Sequence, residues 1–242
     1  MSHRFFASPN ESGRAYLGPE EAAHALRVLR LTEGAEIEIL SPEGKSYIAE
    51  LDLSEDTPCA VIKSELASKE APVEVTLFMG IPKGEKLELI CQKLTELGIK
   101  TLTPVRMERC VAKIEPGEAD KKLMRPRRIS AEAQKQSGRN VPLEISSPID
   151  MKALAAEISG YDACFLLWEE ASGYRLSDAK NESPCLKRIA YVVGPEGGIT
   201  AWEADMLKAA GARLVTLGPR ILRAETAAIA AGAAIMTLWG DL

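Results

Sequence analysis

The sequence has 242 residues, of which 46% are hydrophobic and 27% charged, a composition typical of a folded globular protein. Its longest apolar stretch, residues 227–240, is too short to cross a bilayer and its N-terminus lacks a signal-peptide core, so we expect a cytoplasmic protein without membrane association. The five cysteines are far apart and the two histidines, His3 and His24, show no metal-ligand spacing, which disfavours disulfides and a catalytic metal.

The first 70 residues predict a small β-rich domain. Alternating apolar residues predict strands at 4–7, 36–40, 47–51 and 59–62, with a helix at 20–31. The polar, proline-containing segment 67–72 is predicted to be a linker. We therefore expect one domain at residues 1–70 and a second at residues 71–242.

From residue 73 onward, strands and helices alternate, which predicts a mostly parallel sheet. Strands are predicted at 73–81, 101–107, 141–145, 163–168, 189–193 and 213–217, and helices at 83–97, 151–158, 200–210 and 226–238. Gly98 is predicted to end one helix, and Thr200 with Glu203 has the spacing of a capping box. Any helix around Pro126 is predicted to start or kink at that proline.

The net charge of −5 hides a local excess of basic residues. Between positions 121 and 139 there are seven basic residues and one acidic residue, Glu132. Such a run is often only a solvated helix face. Because Arg125, Arg127 and Arg128 fall within four positions with almost no compensating acid, the run favours a phosphate-binding patch.

Two loops near the C-terminus carry candidate ligand-binding residues. Residues 193–200, V-G-P-E-G-G-I-T, connect a buried strand to a helix, and their glycines allow backbone amides to approach a ligand. Residues 217–226, L-G-P-R-I-L-R-A-E-T, occupy an equivalent position and concentrate Arg220, Arg223 and Glu225. The structural alternatives are a tight connection for the first loop and a helix cap for the second.

Other nucleotide-binding patterns are not supported. The first loop is not the G-x-G-x-x-G of a dinucleotide fold, and the segment 80–86, G-I-P-K-G-E-K, lacks the ending of a P-loop. Nucleotide triphosphate hydrolysis therefore has no support in the sequence.

Taken together, the two loops resemble those of the RsmE-type SPOUT methyltransferases. Further similarities are R-F-F at 4–6, H-x-x-x-V-L-R at 24–30, K-L-T-E-L-G at 93–98, T-P at 103–104, E-R-C at 108–110 and G-R-N-V-P at 138–142. Lys135 departs from the family, which usually has glutamate before the following glutamine, so a role assigned to that glutamate does not transfer.

The resemblance implies an α/β fold. It implies a small PUA-like β-barrel domain that binds RNA, followed by a SPOUT domain with a C-terminal trefoil knot within about residues 163–242. It also implies a homodimer, S-adenosylmethionine as cofactor, and methyl transfer to N3 of a uridine in bacterial 16S ribosomal RNA. The RNA substrate would be presented in an assembled or nearly assembled small subunit.

The same resemblance assigns residues to the cofactor and to RNA. The implied cofactor-binding residues are Leu167, Gly194, Glu196, Gly197, Gly198, Leu217, Gly218, Ile221, Leu222, Arg223 and Thr226. The implied RNA-binding residues are Arg4, His24, Arg27, Arg30, Arg106, Arg109, Arg125, Arg127, Arg128 and Arg139.

Arg139 and Glu225 are the catalytic candidates. Uracil N3 carries a proton that must leave before its lone pair is available, and the second domain has no histidine to act as base. Glu225 could accept the proton, but we expect Arg220 and Arg223 to favour its charged, less basic form. We therefore favour Arg139 as a donor that stabilises negative charge on a uracil carbonyl oxygen. The alternative is that Arg139 only binds a phosphate.

Two other functions remain open. A 2′-O-ribose methyltransferase of the same superfamily would share the knot, but it usually lacks the N-terminal pattern and the R-x-L-R-x-E-T loop. A non-catalytic RNA-binding module would explain the basic run, but not two glycine- and charge-rich loops at the ends of strands.

Overall fold

A computed structural model describes residues 3–242, apart from the side chain of residue 116, and forms two compact units. One contains the residues up to Glu70 together with Gln134–Val141, and the other contains Ala71–Ala133 and Pro142–Leu242. The first two residues of the predicted N-terminal domain lie outside the described part. Residues 134–141, which the sequence places in the second domain, join the first because Glu70 accepts hydrogen bonds from the backbone N–H groups of Asn140 and Val141.

The first unit is built on a five-stranded sheet in the order β1-β3-β4-β5-β2. Its strands are β1 His3–Phe6, β2 Arg14–Tyr16, β3 Glu36–Leu40, β4 Ser46–Asp52 and β5 Cys59–Glu65. β1 runs parallel to β3 and the other pairs are antiparallel. Phe5, Ile37 and Ile39 are fully buried in its core. β1 and β2 end this strand order, and an antiparallel bridge between Pro9 and Ala15 links the chain just after β1 to β2, so the sheet curls into a half-barrel, which agrees in part with the predicted barrel.

The helix predicted at 20–31 is shorter and irregular. α1, Pro19–Ala23, is followed by a π-helical turn, His24–Val28, and Arg30 then takes a positive φ of 55°. The irregular turn leaves His24, Arg27 and Arg30 exposed. Single π-turns are rare and are frequent at functional sites.

The second unit contains an all-parallel sheet, which confirms the predicted mostly parallel arrangement. Its strand order is β12-β10-β11-β6-β7-β8, with β9 also paired to β7. The strands are β6 Glu74–Gly80, β7 Thr101–Arg106, β8 Glu144–Ile145, β9 Ile149–Asp150, β10 Ala163–Leu167, β11 Arg188–Val193 and β12 Arg213–Val215. Because all pairs are parallel, the carboxyl ends of β12, β10, β11 and β6 lie side by side at one edge.

Helices cover both faces of this sheet. They are α2 Lys86–Glu96, α3 Ala119–Ser137, α4 Met151–Glu157, α5 Leu176–Glu182, α6 Ala201–Ala209 and α7 Ala224–Trp239. Apolar residues of α2, α3, α5 and α7 share one core with Leu77 of the sheet, and those of α4 and α6 share another with Phe78. No helix of residues 3–242 is long and apolar enough to cross a membrane.

The predicted helix boundaries are partly correct. Gly98 follows α2 with φ of 83°, and Thr200 forms the predicted capping box with Glu203. The predicted alternative of a kink at Pro126 stays a prediction, but the helix does not start there: Pro126 lies inside α3, because Ala119 and Leu123 on its N-terminal side are buried in the core. That packing offsets a proline cost of about 3 kcal/mol.

Candidate functional site

A cavity of about 470 Å³ lies in the second unit at the carboxyl ends of β10, β11 and β12. This edge of a parallel sheet is the usual ligand position in α/β proteins, and the volume suits a nucleotide-sized molecule. The lining comes from residues 167–169, 193–196, 198–199 and 215–224, with Lys86 and Ala227.

The loop of residues 193–200, the glycine loop, closes one side of the cavity and tolerates almost no added side chain. A Cβ on Gly194 would lie 2.6 Å from Cγ1 of Ile199. Gly198 has a φ of 76°, and a Cβ there would lie 2.9 Å from Oε1 of Glu169. The glycines therefore keep backbone atoms exposed to the cavity.

The outer side of the glycine loop rests on the segment after β7. Arg109 donates a hydrogen bond of 3.0 Å to the carbonyl oxygen of Gly197, and a Cβ on Gly197 would lie 2.8 Å from Cβ of Arg109. The fully buried carboxylate of Glu203 accepts hydrogen bonds from the N–H and hydroxyl of Thr200 and from the N–H of Glu108. These contacts fix the glycine loop from residues that do not line the cavity.

A cluster of three charged groups borders the cavity. The Lys86 ammonium lies 2.9 Å from Glu196 Oε1 and 3.3 Å from Glu225 Oε2. The hydrogen bond to Glu196 raises the pKa of Lys86 despite partial burial. Burial would raise the pKa of Glu196, but hydrogen bonds from Lys86 and from backbone N–H groups outweigh it and lower the pKa overall. Both members of this pair are thus held in their charged forms.

The structure brings together most of the predicted cofactor residues. Those that line the cavity are Leu167, Gly194, Glu196, Gly198, Leu217, Gly218, Ile221, Leu222 and Arg223. Gly197 and Thr226 do not line it. Gly197 faces Arg109, whereas Thr226 is exposed on α7.

Sequence reasoning did not identify Lys86, Glu169 or Ala227 as lining residues. Glu169 directly follows the predicted strand, and Ala227 directly follows the second loop, so extending each segment by one residue would have found them. No local signal connects Lys86 to residues that lie more than a hundred positions later.

The two catalytic candidates lie in different units. Glu225 is in the first turn of α7 and 13% exposed, and its charged partner is Lys86 rather than the predicted Arg220 and Arg223. Arg139 is in the first unit, where its guanidinium, 5% exposed, pairs with Glu70 at 2.8 Å. The catalytic role of each stays a prediction.

The predicted RNA-binding residues of the first unit differ in accessibility. Arg4 pairs with Glu38 and donates to the carbonyl oxygens of Lys135 and Gln136. His24, Arg27 and Arg30 are exposed around the π-helical turn. The three exposed side chains are therefore available to a ligand, whereas Arg4 joins β1 to Glu38 of β3 and to the backbone of residues 135–136.

In the second unit, the arginines of the basic run all have acidic partners. Arg125 pairs with Glu85 and Glu88, Arg127 with Asp120, and Arg128 with Glu132. Such exposed ion pairs are weak, so phosphate could replace the carboxylates. Of the remaining predicted arginines, Arg106 donates to the carbonyl oxygen of Pro148 and Arg109 to that of Gly197.

Comparisons with known proteins agree on one family. The family described as RNA methyltransferase domain matches residues 69–236, and the one described as RNA methyltransferase PUA domain matches residues 17–63. Ribosomal RNA small subunit methyltransferase E of Bacillus subtilis is 36% identical over 89% of this chain and 87% of its own, and that of Aquifex aeolicus is 31% identical over 94% and 96%. The crystal structure of the Neisseria gonorrhoeae protein of that name, bound to S-adenosyl methionine, superposes with a TM-score of 0.87 at 33% identity, covering 100% of both chains.

Proposed function

Because the chain belongs to the ribosomal RNA small subunit methyltransferase E family, we propose that it transfers a methyl group from S-adenosylmethionine to N3 of a uridine in 16S ribosomal RNA. The observation that carries this proposal is the cavity at the carboxyl ends of three parallel strands, walled by the glycine loop and residues 215–224. The N-terminal PUA domain supports an RNA substrate.

The residues around the cavity fit S-adenosylmethionine. Leu167, Val193, Leu222 and Ala227 offer apolar surface for an adenine ring, and the glycine loop offers backbone groups for its edge. The carboxylate of Glu169 and the guanidinium of Arg223 line the cavity and match the ammonium and carboxylate charges of a methionine group. When bound, the cofactor supplies a methyl group made electrophilic by its sulfonium.

The protein's own contribution is to orient the base and to favour its anion. The N3 proton leaves to solvent before the nitrogen attacks the methyl group and displaces a neutral thioether, so groups that stabilise negative charge on the uracil oxygens accelerate the step. We propose Arg139 for this role, which requires its guanidinium to exchange Glu70 for the base. Glu225 is the alternative as a proton acceptor, and its ion pair with Lys86 opposes that role.

A knotted homodimer is part of the proposal. After β12, at the edge of the sheet, the chain crosses the strand ends through residues 216–223, and α7 packs against β6 and β11 nearer the middle. This path supports a C-terminal knot. Small, partly exposed residues along α7, such as Ala230 and Ala234, support close approach of a second copy. We place the reaction in the cytoplasm, on an assembled or nearly assembled small subunit.

Calorimetric titration with S-adenosylmethionine and transfer of a labelled methyl group to small-subunit RNA test the proposal. We expect saturable binding and label incorporation into that RNA. Absence of both in the folded protein would refute a methyltransferase function, and binding without transfer to any RNA would leave only a cofactor-binding module.

A further inference from the structure

The segment of residues 80–86, G-I-P-K-G-E-K, lies directly against the glycine loop. β6 and β11 pair with Met79 opposite Val193, which brings the following residues of both strands together. A Cβ on Gly80 would lie 2.6 Å from the backbone N of Pro195. The two segments can approach this closely only because residue 80 is glycine.

Glu196 fastens the two segments to each other. Its Oε1 accepts hydrogen bonds from the backbone N–H of Lys83 at 3.0 Å and from the ammonium of Lys86 at 2.9 Å. The ammonium also faces Oε2 of Glu225 at 3.3 Å, in the first turn of α7. That oxygen is buried and makes no hydrogen bond within the described residues, so Lys86 supplies its compensating charge.

The position of Lys86 within its own helix does not explain its placement. It is the first residue of α2, where the partial positive charge of a helix N-terminus disfavours a cation. The stabilisation comes instead from two carboxylates on segments distant in the sequence, and the side chain is only 33% exposed. Lys86 also lines the cavity.

We propose that Lys86 is a positioning residue of the cofactor site. Its ammonium joins the glycine loop, through Glu196, to the first turn of α7, through Glu225. It thereby fixes the separation of the two segments that wall the cavity. The inference rests on the proposed function only for the identity of the ligand. The two ion pairs of Lys86 are observed independently of that function.

Calorimetric titration of the full chain with S-adenosylmethionine tests the inference. We expect Lys86→Met to weaken binding at least about fivefold, the lower end of coupling between linked sites, and Lys86→Arg to recover most of the affinity. Lys83→Met is the matched control. Lys83 contacts Glu196 through its backbone N–H, which the substitution keeps, so the affinity of this variant for S-adenosylmethionine should equal that of the unmodified protein. Equal affinity of Lys86→Met and the unmodified protein would overturn the inference.

A double variant separates positioning from direct contact with the cofactor. If Lys86 acts through its ion pair with Glu225, Lys86→Met and Glu225→Gln remove the same contact, so the double variant should bind little more weakly than Lys86→Met alone. Fully additive losses of affinity would indicate that Lys86 binds the cofactor directly, which contradicts a positioning role. If the unmodified protein binds no cofactor, the proposed function fails, and amide hydrogen exchange in residues 193–200 and 217–224 then tests whether Lys86 links the two segments. Exchange in these residues should be faster in Lys86→Met than in Lys83→Met. Equal exchange rates in the two variants would overturn the positioning role of Lys86.

Discussion

Ala227 is the position where a larger side chain can fill the cavity without straining the backbone, because it lies on α7 and lines the cavity. We expect Ala227→Phe to abolish S-adenosylmethionine binding in calorimetry. Ala209→Phe is the control, since it places the same side chain at an exposed helical position outside the cavity. Undiminished affinity in a variant that unfolds at the normal temperature would mean that the cofactor site is elsewhere.

Arg139 is the residue whose catalytic role the structure makes most testable. If it stabilises the uracil anion, Arg139→Ala should lower kcat roughly 10²–10³-fold, the range for losing one charge-stabilising donor, and higher pH should restore part of the rate. Glu70→Gln is the control, because it weakens the anchoring of Arg139 but keeps the guanidinium. Equal decreases of kcat in both variants would show that Arg139 only holds residues 138–141 in place.

The sequence predicted the two loops that the structure places at the cavity, but not the direction in which each residue of these loops faces. The three glycines of the loop look equivalent in the sequence, yet Gly194 and Gly198 line the cavity and Gly197 faces Arg109. The direction depends on local φ values and on a neighbour 88 residues away. In the same way, the cation beside Glu225 comes from α2 rather than from the adjacent arginines.

At the scale of elements, α3 carries the predicted RNA patch. Replacing Arg125, Arg127 and Arg128 together should weaken RNA binding and lower the salt slope by about 0.7–0.9 for each phosphate group that the variant no longer neutralises. Arg213 is an exposed arginine of β12 that pairs with Glu182 of α5, and Arg213→Gln should leave the slope unchanged. An unchanged slope in the triple variant would mean that these arginines only form ion pairs within the protein.

The exposed face of α7 is the element that we expect to form the homodimer. Ala230 is exposed, so Ala230→Arg should leave each copy folded while its bulk and charge prevent close approach of the partner. Sedimentation equilibrium should then show monomers where the unmodified protein forms dimers. An unchanged dimer would place the interface elsewhere, and a monomeric unmodified protein would contradict the homodimer.

Elements with strong periodicity were predicted well, and those determined by tertiary packing were not. α2, α4, α6 and α7 follow from apolar spacing and end signals. The π-helical turn after α1 and the passage of α3 through Pro126 have no such signal, because packing of Ala119 and Leu123 overrides the local preference at the proline. α5 was missed because only Leu176 and Ala179 of its seven residues are buried.

For the whole molecule, the alternation of strands and helices predicted a parallel sheet but not its strand order. β10 lies between β12 and β11, and β6 lies in the middle of the sheet, so chain order and spatial order differ. This arrangement gathers the ends of four strands into one edge. Periodicity reports only which face of an element is buried, so neither the order nor the proposed knot could follow from it.

The most direct test of the account is to identify the nucleoside that the protein modifies. Under-methylated small ribosomal subunits would be incubated with the protein and S-adenosylmethionine carrying a labelled methyl group, and the digested 16S RNA analysed by mass spectrometry. We predict labelled 3-methyluridine at a single position, and none with Ala227→Phe. Label on a ribose 2′-oxygen, or on a base other than uracil, would contradict the proposed uridine N3 activity.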